Sequence, residues 1–447
     1  MATLSNRVSR WTLLLFACAL ANFLAAQGLI LVGMTWPARA VSAPGTLAAV
    51  HLLVIGWLLL LMLGALFQFV PVITSRPLAS QRMALWALIG IEAGLGGMIC
   101  GFFGIAVSPV LAMALPAGAT AVLLGVLAAS WNLGVPLIRA RPLRLPGRMV
   151  LTGLVFLFVT VMLGLSFALA FTVPALAPYL APLLNAFGDH ALAGLGGWFT
   201  LTAMGVSYKL LPMFMLAPED RGIPGDCVHI LGTLGFALAV AAGVAQVWVA
   251  AGFLRIAQST GYGAITIAVA IYLWDIRRIY RTRRRRVIEV HNRAAVGAFG
   301  LLALGAALAI SSLGTGRPEA GAPVGVFLIV FGWLGGLGLT QLYKIIPFLT
   351  WLGRYGSRLG RASVPRVQDL VRERRGGPWF VLYFAAILLG GGFALSGSAL
   401  GFRSCMALVA LATVGLVTEY WRAWRGHYAR AHQSETAIPP FIANPRG

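Results

Sequence analysis

Long apolar runs alternate with short polar joints along almost the whole chain. The runs are apolar on every side, so they do not read as the one-sided stripe of a soluble helix. Each is long enough to cross a hydrocarbon core as a helix, which takes about 20 residues. Taken in order they predict spans at 11–35, 46–74, 83–106, 109–138, 148–172, 186–216, 227–252, 258–277, 292–313, 323–352, 379–398 and 402–422. The first run, from Trp11 to about Met34, is too long for the core of a cleavable signal and reads as the first helix. The expectation is an all-α polytopic membrane protein of twelve transmembrane helices. It forms one transmembrane domain over 1–425, with a polar cytoplasmic tail over 426–447 and no soluble domain.

Composition narrows the function classes. Of 447 residues, 59% are apolar and 10% charged, against about 25% charged in soluble domains. That balance excludes a soluble enzyme and a disordered chain. The net charge of +22 comes from 32 Arg and 2 Lys against 12 acidic residues. It is not a nucleic-acid signal, because the arginines sit in alternate joints. One side receives Arg7 and Arg10, Arg76 and Arg82, Arg139 to Arg148, Arg221, the runs Arg277–Arg293 and Arg354–Arg375, and Arg422 to Arg430. The other side holds Arg39, Arg255, Arg317 and Arg403. By the positive-inside rule both termini are cytoplasmic, and a bacterial inner membrane is the expected location. The run Arg283–Arg286 reads as a topology anchor, with an anionic-lipid or partner site as the alternative. Cys18, Cys100, Cys227 and Cys405 are scattered, so neither a disulfide framework nor a zinc site is expected.

Three stretches align without gaps. Gly56-Trp57 precedes Pro71, Gly197-Trp198 precedes Pro212, and Gly332-Trp333 precedes Pro347, each at the same interval. They fall on the second, sixth and tenth spans, which predicts three four-helix units about a pseudo-threefold axis. Glycine permits close helix approach, and the late proline bends or ends the helix. Lys209 and Lys344, the only lysines, occupy equivalent positions, with Gln68 in the third copy. Tyr208 and Tyr343 precede them. A lysine at mid-membrane costs about 2.5–3.5 kcal/mol. Near helix ends these two read as snorkelling side chains, with a proton-entry path as the alternative. Glu92 lies deep in the third span and reads as a proton or cation site, or as a hydrogen-bonded helix contact.

Twelve spans, a threefold pseudo-repeat and a histidine near the outer end of the second span resemble the catalytic subunit of the haem–copper oxidases. The likeness is to divergent members near cbb3-type oxidases and nitric oxide reductases. The carrying stretches are His51 to Gly56-Trp57 through Pro71, His190 to Gly197-Trp198 through Pro212, and Gly332-Trp333 through Pro347. The resemblance implies haem held by a histidine of the second helix and histidines of the tenth, with copper on histidines of the sixth and seventh. His51 matches the second-helix position; His190 stands two residues earlier against its own Gly-Trp. The tenth span reads Gly325 to Val330 where its histidines should stand, and the seventh holds only His229, at the wrong end for copper. His291 opens the ninth span on the arginine-rich side, and His427 and His432 lie in the tail. Copper is therefore not expected, and neither is oxygen or nitric oxide reduction at a binuclear centre.

What the resemblance leaves is a haem-binding subunit of respiratory electron transfer or sensing. It would hold haem b, and its partners would be respiratory subunits or a cytochrome c. His51 and His190 are the cofactor residues; Glu92, Lys209, Lys344, Tyr208 and Tyr343 are candidates for a proton or ion path. For His51 the competing account is a neutral imidazole bonded to a neighbouring helix. Asp189 either orients His190 as a carboxylate partner or caps the sixth helix. Glu419 with Arg422, and Asp275 with Arg277 and Arg278, read as local surface ion pairs. Asp226, Cys227 and His229 at one loop end are a weak metal signal. The alternative functions are a transporter of a small solute or metal ion, or a non-catalytic assembly partner.

Overall fold

The computed structural model describes residues 2–218, 222–314, 318–359 and 364–428. Most of the expected tail, from 429 onward, lies outside the described residues, as do Arg221 and Arg317. Among the described residues the regular structure is entirely helical. The long helices are α1 (Ala2–Leu31), α2 (Pro44–Thr74), α3 (Gln81–Gly104), α4 (Ala114–Arg139), α5 (Leu145–Thr172) and α6 (187–215). They continue as α7 (Ile223–Gln246), α8 (Gly252–Thr282), α9 (Val290–Gly314), α10 (318–355), α11 (Glu373–Leu395) and α12 (Ala399–Arg425).

Eleven spans among the described residues are long and apolar enough to cross a membrane. The chain is therefore an integral, helical membrane protein. The remaining expected span, α6, is helical throughout but less apolar: it carries Asp189, His190, three threonine and serine residues in Thr200, Thr202 and Ser207, and Lys209. α2 and α10 are the most buried spans and α8 the least.

Packing follows the glycine spacing. α1 lies along α2, α5 along α6 and α9 along α10, while α3–α4, α7–α8 and α11–α12 form tight pairs. α12 packs back onto α1. Each Gly-Trp pair sits inside a π-helical stretch, over Leu52–Leu59, Leu192–Thr200 and Leu328–Gly335. The stretch in α10 packs against those in both α2 and α6. A π turn adds one residue and widens the helix locally, and here each widened turn carries an indole into the interior. Trp57, Trp198 and Trp333 are all at most 1% exposed. The glycine beside each meets the preceding helix: Gly56 faces Asn22, Gly197 faces Phe156 and Gly332 faces Leu301. α2 and α6 also stop alike, at Ser75 and Leu216, each in the left-handed region with φ 53° and 51°.

Helix ends are closed by arginines. Arg285 donates from its main chain to Met215 O and from its side chain to Phe214 O, ending α6. Arg354 donates to Trp424 O and Arg425 O at the end of α12. Arg403 does the same for Leu31 O at the end of α1. The orphan carbonyls of a helix end need such donors wherever water is scarce. The Arg285 contacts bring the joint after α8 to the end of α6, and those of Arg354 bring the end of α10 to the end of α12.

Candidate functional site

His51 ends the first α-helical part of α2 and immediately precedes its π stretch. Its Nδ1 lies 2.7 Å from Leu47 O. A carbonyl only accepts, so Nδ1 carries the proton and Nε2 keeps a lone pair. The ring rests on Phe102 of α3, with centroids 4.9 Å apart. His190 occupies the matching end of α6, two residues before its π stretch. Its ring meets Phe167 of α5 edge-on at 5.4 Å. Nδ1 of His190 is buried and has no partner. Gly164 makes room for the ring, since a Cβ there would stand 3.1 Å from His190 Cε1.

His51 and His190 are the residues that could hold a haem iron or a related metal centre. His51 has one nitrogen committed to a carbonyl and the other left over, the arrangement that fixes the tautomer of a ligating histidine, and His190 has a buried ring nitrogen with no partner. The orphaned His190 Nδ1 is the specific observation, because a buried polar atom with no partner carries a desolvation cost of about 1–3 kcal/mol. α10 offers no counterpart. Phe327 stands where His51 stands relative to Gly-Trp, and its ring packs on Phe331 and Phe402 at 5.2 and 5.1 Å. Aromatic packing thus fills the position at which the resemblance would put ligands. Among the described residues no three His, Cys, Asp or Glu side chains gather as a metal-binding group.

Asp189 does neither of the things its position suggests. Helix α6 starts at Phe187 with Ala186 as its cap and no side-chain capping bond, so Asp189 is in the first turn rather than at the cap. Successive helical residues point about 100° apart, and Asp189 turns away from His190 toward α7 and α8. It accepts from Gln258 at 3.2 Å, Gln258 in turn accepts from Gln246 at 3.0 Å, and Gly243 leaves space for the carboxylate.

Glu92 accepts from Asn22 Nδ2 at 2.9 Å, and the same amide reaches Gly56 O at 3.4 Å in the π stretch of α2. The carboxyl therefore ties α3 to α1 and α2. The proposed path residues are held separately. Tyr208 donates to Asp275 Oδ2 at 3.0 Å, whereas Tyr343 donates to Arg372 O at 3.0 Å. Gln68 bonds Thr12 at 2.8 Å, and Lys209 is half-buried on α6. Lys344 does not snorkel freely: its Nζ donates to Glu289 Oε2 at 2.6 Å.

Two expected surface ion pairs form but are not at the surface. Asp275 pairs with Arg278 at 3.1 Å, and Glu419 with Arg422 at 2.6 Å, with carboxylates only 2% and 3% exposed. Tyr208 and Tyr428 supply the extra donors that such burial requires. His229 accepts or donates to Thr152 at 3.0 Å, and Asp226 pairs with Arg148, so neither is arranged around a metal.

Sequence reasoning passed over the cluster of Glu289, His291, Lys344 and Arg285. Only the odd placement of an acidic residue inside an arginine-rich joint marks it in the sequence. No family model and no curated protein matches the chain.

Proposed function

We propose that the chain is a haem-binding membrane subunit of the haem–copper oxidase type, with twelve spans in three four-helix units. It works in respiratory electron transfer or sensing without an oxygen-reducing binuclear centre. The observation that carries the reading is the matching placement of His51 and His190. They come from different helices, sit at equivalent ends of two π stretches, and each keeps an uncommitted ring nitrogen. The three π stretches around Gly-Trp and the recurring glycine contacts support the threefold reading.

In this reading His51 Nε2 would be a ligand to haem iron and His190 Nδ1 the second candidate ligand, and the haem would supply one-electron transfer. Leu47 O fixes the His51 ring, Phe102 and Phe167 pack on the two imidazoles, and Gly164 leaves room for His190. The arginine-rich face is cytoplasmic in an inner membrane, and a respiratory subunit or cytochrome c approaches from the other side.

The test is the optical spectrum of purified protein, oxidised and dithionite-reduced, after expression with ample haem. A Soret band with sharp reduced α and β bands, lost in both His51→Ala and His190→Ala, is the expected result. A colourless protein would sink the reading. Transport of a small solute or ion is the second reading, favoured by Glu92 deep in α3; vesicle uptake abolished by Glu92→Gln would support it.

A further inference from the structure

A surface at the arginine-rich end of α12 is independent of any haem. Leu408, Leu411, Val414, Thr418, Trp421 and Arg425 follow one another at intervals of three or four residues, and all are exposed. They therefore form one outward face of the helix, apolar along most of its length and ending in an indole and a guanidinium. From Arg403 to Arg425 the helix rises about 33 Å, close to the thickness of a hydrocarbon core. With Arg403 at one boundary, Arg425 stands at the depth of the headgroups on the other, and Trp421 lies about 6 Å deeper.

The contacts at Arg425 leave its charge available. The guanidinium lies 4.7 Å from the Trp421 ring centroid and 5.5 Å from that of Trp424. The two indoles are 4.9 Å apart, and 53% and 39% exposed. A cation–π contact engages the ring face and consumes no N–H. Glu419, the carboxylate closest in sequence, is spent on Arg422 and Tyr428. Several other arginines of this face are committed: Arg354 to Trp424 O and Arg425 O, Arg285 to Phe214 O and Glu289, and Arg283 to Tyr280 O. Arg278 also lies over an exposed indole, that of Trp274 at 5.2 Å, but it pairs with Asp275.

We propose that this end of α12 binds an anionic phospholipid of the bilayer, with the lipid phosphate on the N–H fork of Arg425 and the glycerol and first methylenes on Trp421 and Trp424. A planar guanidinium matches phosphate bidentately. The exposed stripe of Leu411 and Val414 below the indoles takes the acyl chains. Selection for net negative charge follows from the local balance. Arg422 and Glu419 cancel, whereas Arg354 and Arg425 carry two positive charges with no carboxylate beside them among the described residues. A zwitterionic lipid brings its own cation to the same place and gains less.

The test is native mass spectrometry of the detergent-solubilised full chain, titrated with phosphatidylglycerol or with phosphatidylcholine of the same acyl chains. Phosphatidylglycerol should bind more tightly, and Arg425→Gln should weaken it about fivefold, the share of one arginine near a membrane surface. Phosphatidylcholine binding should stay as it was. Trp421→Leu should weaken phosphatidylglycerol as well, and keeps the test available if Arg425→Gln does not fold. Arg358→Gln, at an exposed arginine after α10, is the control and should have no such effect. Equal affinity for the two lipids would overturn the proposal, as would a loss in the site variants no larger than in Arg358→Gln. Glycerol phosphate that displaces the lipid at equal concentration would show a free-anion site instead, and would overturn it too.

Discussion

Lys344 on α10 and Glu289 before α9 are bonded at 2.6 Å, with side chains 21% and 15% exposed. The contact fastens one of the two most buried spans to a joint at its edge. Burial works against the Glu289 carboxylate, but the Lys344 bond and the charges of Lys344, His291 and Arg285 hold its carboxyl below the ordinary range. A group depressed on folding stabilises the fold above its unfolded value, and that stability is lost as pH falls through the folded value. Thermal unfolding in detergent should therefore be flat from pH 7 to 5 and fall below about 4.5. Glu289→Gln should remove that acid limb and cost about 1.5–3 kcal/mol at pH 7, the scale of a hydrogen bond to a charged group. An unchanged limb in the variant would remove Glu289 from the account.

The repeated glycines make a prediction of opposite signs. A Cβ at Gly56 would stand 2.6 Å from Asn22 Cβ, and one at Gly332 would stand 2.5 Å from Leu301 Cδ1. Gly56→Ala and Gly332→Ala should each destabilise by about 1–3 kcal/mol through overpacking. Gly300, on α9, has nothing within 4 Å. Gly300→Ala should instead stabilise, by up to about 1 kcal/mol of helix propensity. Melting temperatures by fluorescence-detected chromatography read both signs in one experiment.

The long helices are legible because crossing a bilayer demands an apolar run, and Gly-Trp at a fixed distance from Pro marks three of them. α6 shows the limit of that signal: Asp189, Thr200, Ser207 and Tyr208 find partners inside the bundle, so composition alone understates it. The π stretches leave no compositional trace, since Leu52–Leu59 reads like any apolar helix. Side-chain direction was equally hidden. Asp189 and His190 are neighbours in sequence, yet one faces α7 and α8 and the other α5. Glu289 and Lys344 lie 55 residues apart, so nothing local announces their bond.

Three buried indoles invite a graded comparison. Trp57 stacks on Phe23 with ring centroids 4.8 Å apart, and Trp333 contacts Phe299 at 5.5 Å. In Trp57, Trp198 and Trp333 alike, Nε1 is buried without an acceptor. The N–H therefore contributes nothing, and the ring does the packing. Trp→Phe at each site should cost much less than Trp→Ala, for which about 3–5 kcal/mol is expected. A Phe variant as damaging as Ala would mean that the indole N–H has an essential partner.

Arg403 is the last case, because it stands against the charge pattern on the arginine-poor side. Its Nε donates to Leu31 O at 3.0 Å and its Nη2 to the same oxygen at 2.5 Å. Its guanidinium also lies 3.3 Å from where a Cβ of Gly33 would be, and Gly33 has φ 75°. The side chain thus closes the end of α1 from the start of α12, a structural reason for a positive charge that topology does not ask for. Lysine cannot copy this fork, having one point of charge where arginine has a planar array. Arg403→Lys and Arg403→Ala should both leave the membrane orientation intact and raise hydrogen exchange at residues 31–34. The alanine variant should lose about 1.5–3 kcal/mol of local protection. If exchange there is unchanged while orientation flips, Arg403 is a topology determinant and not a cap.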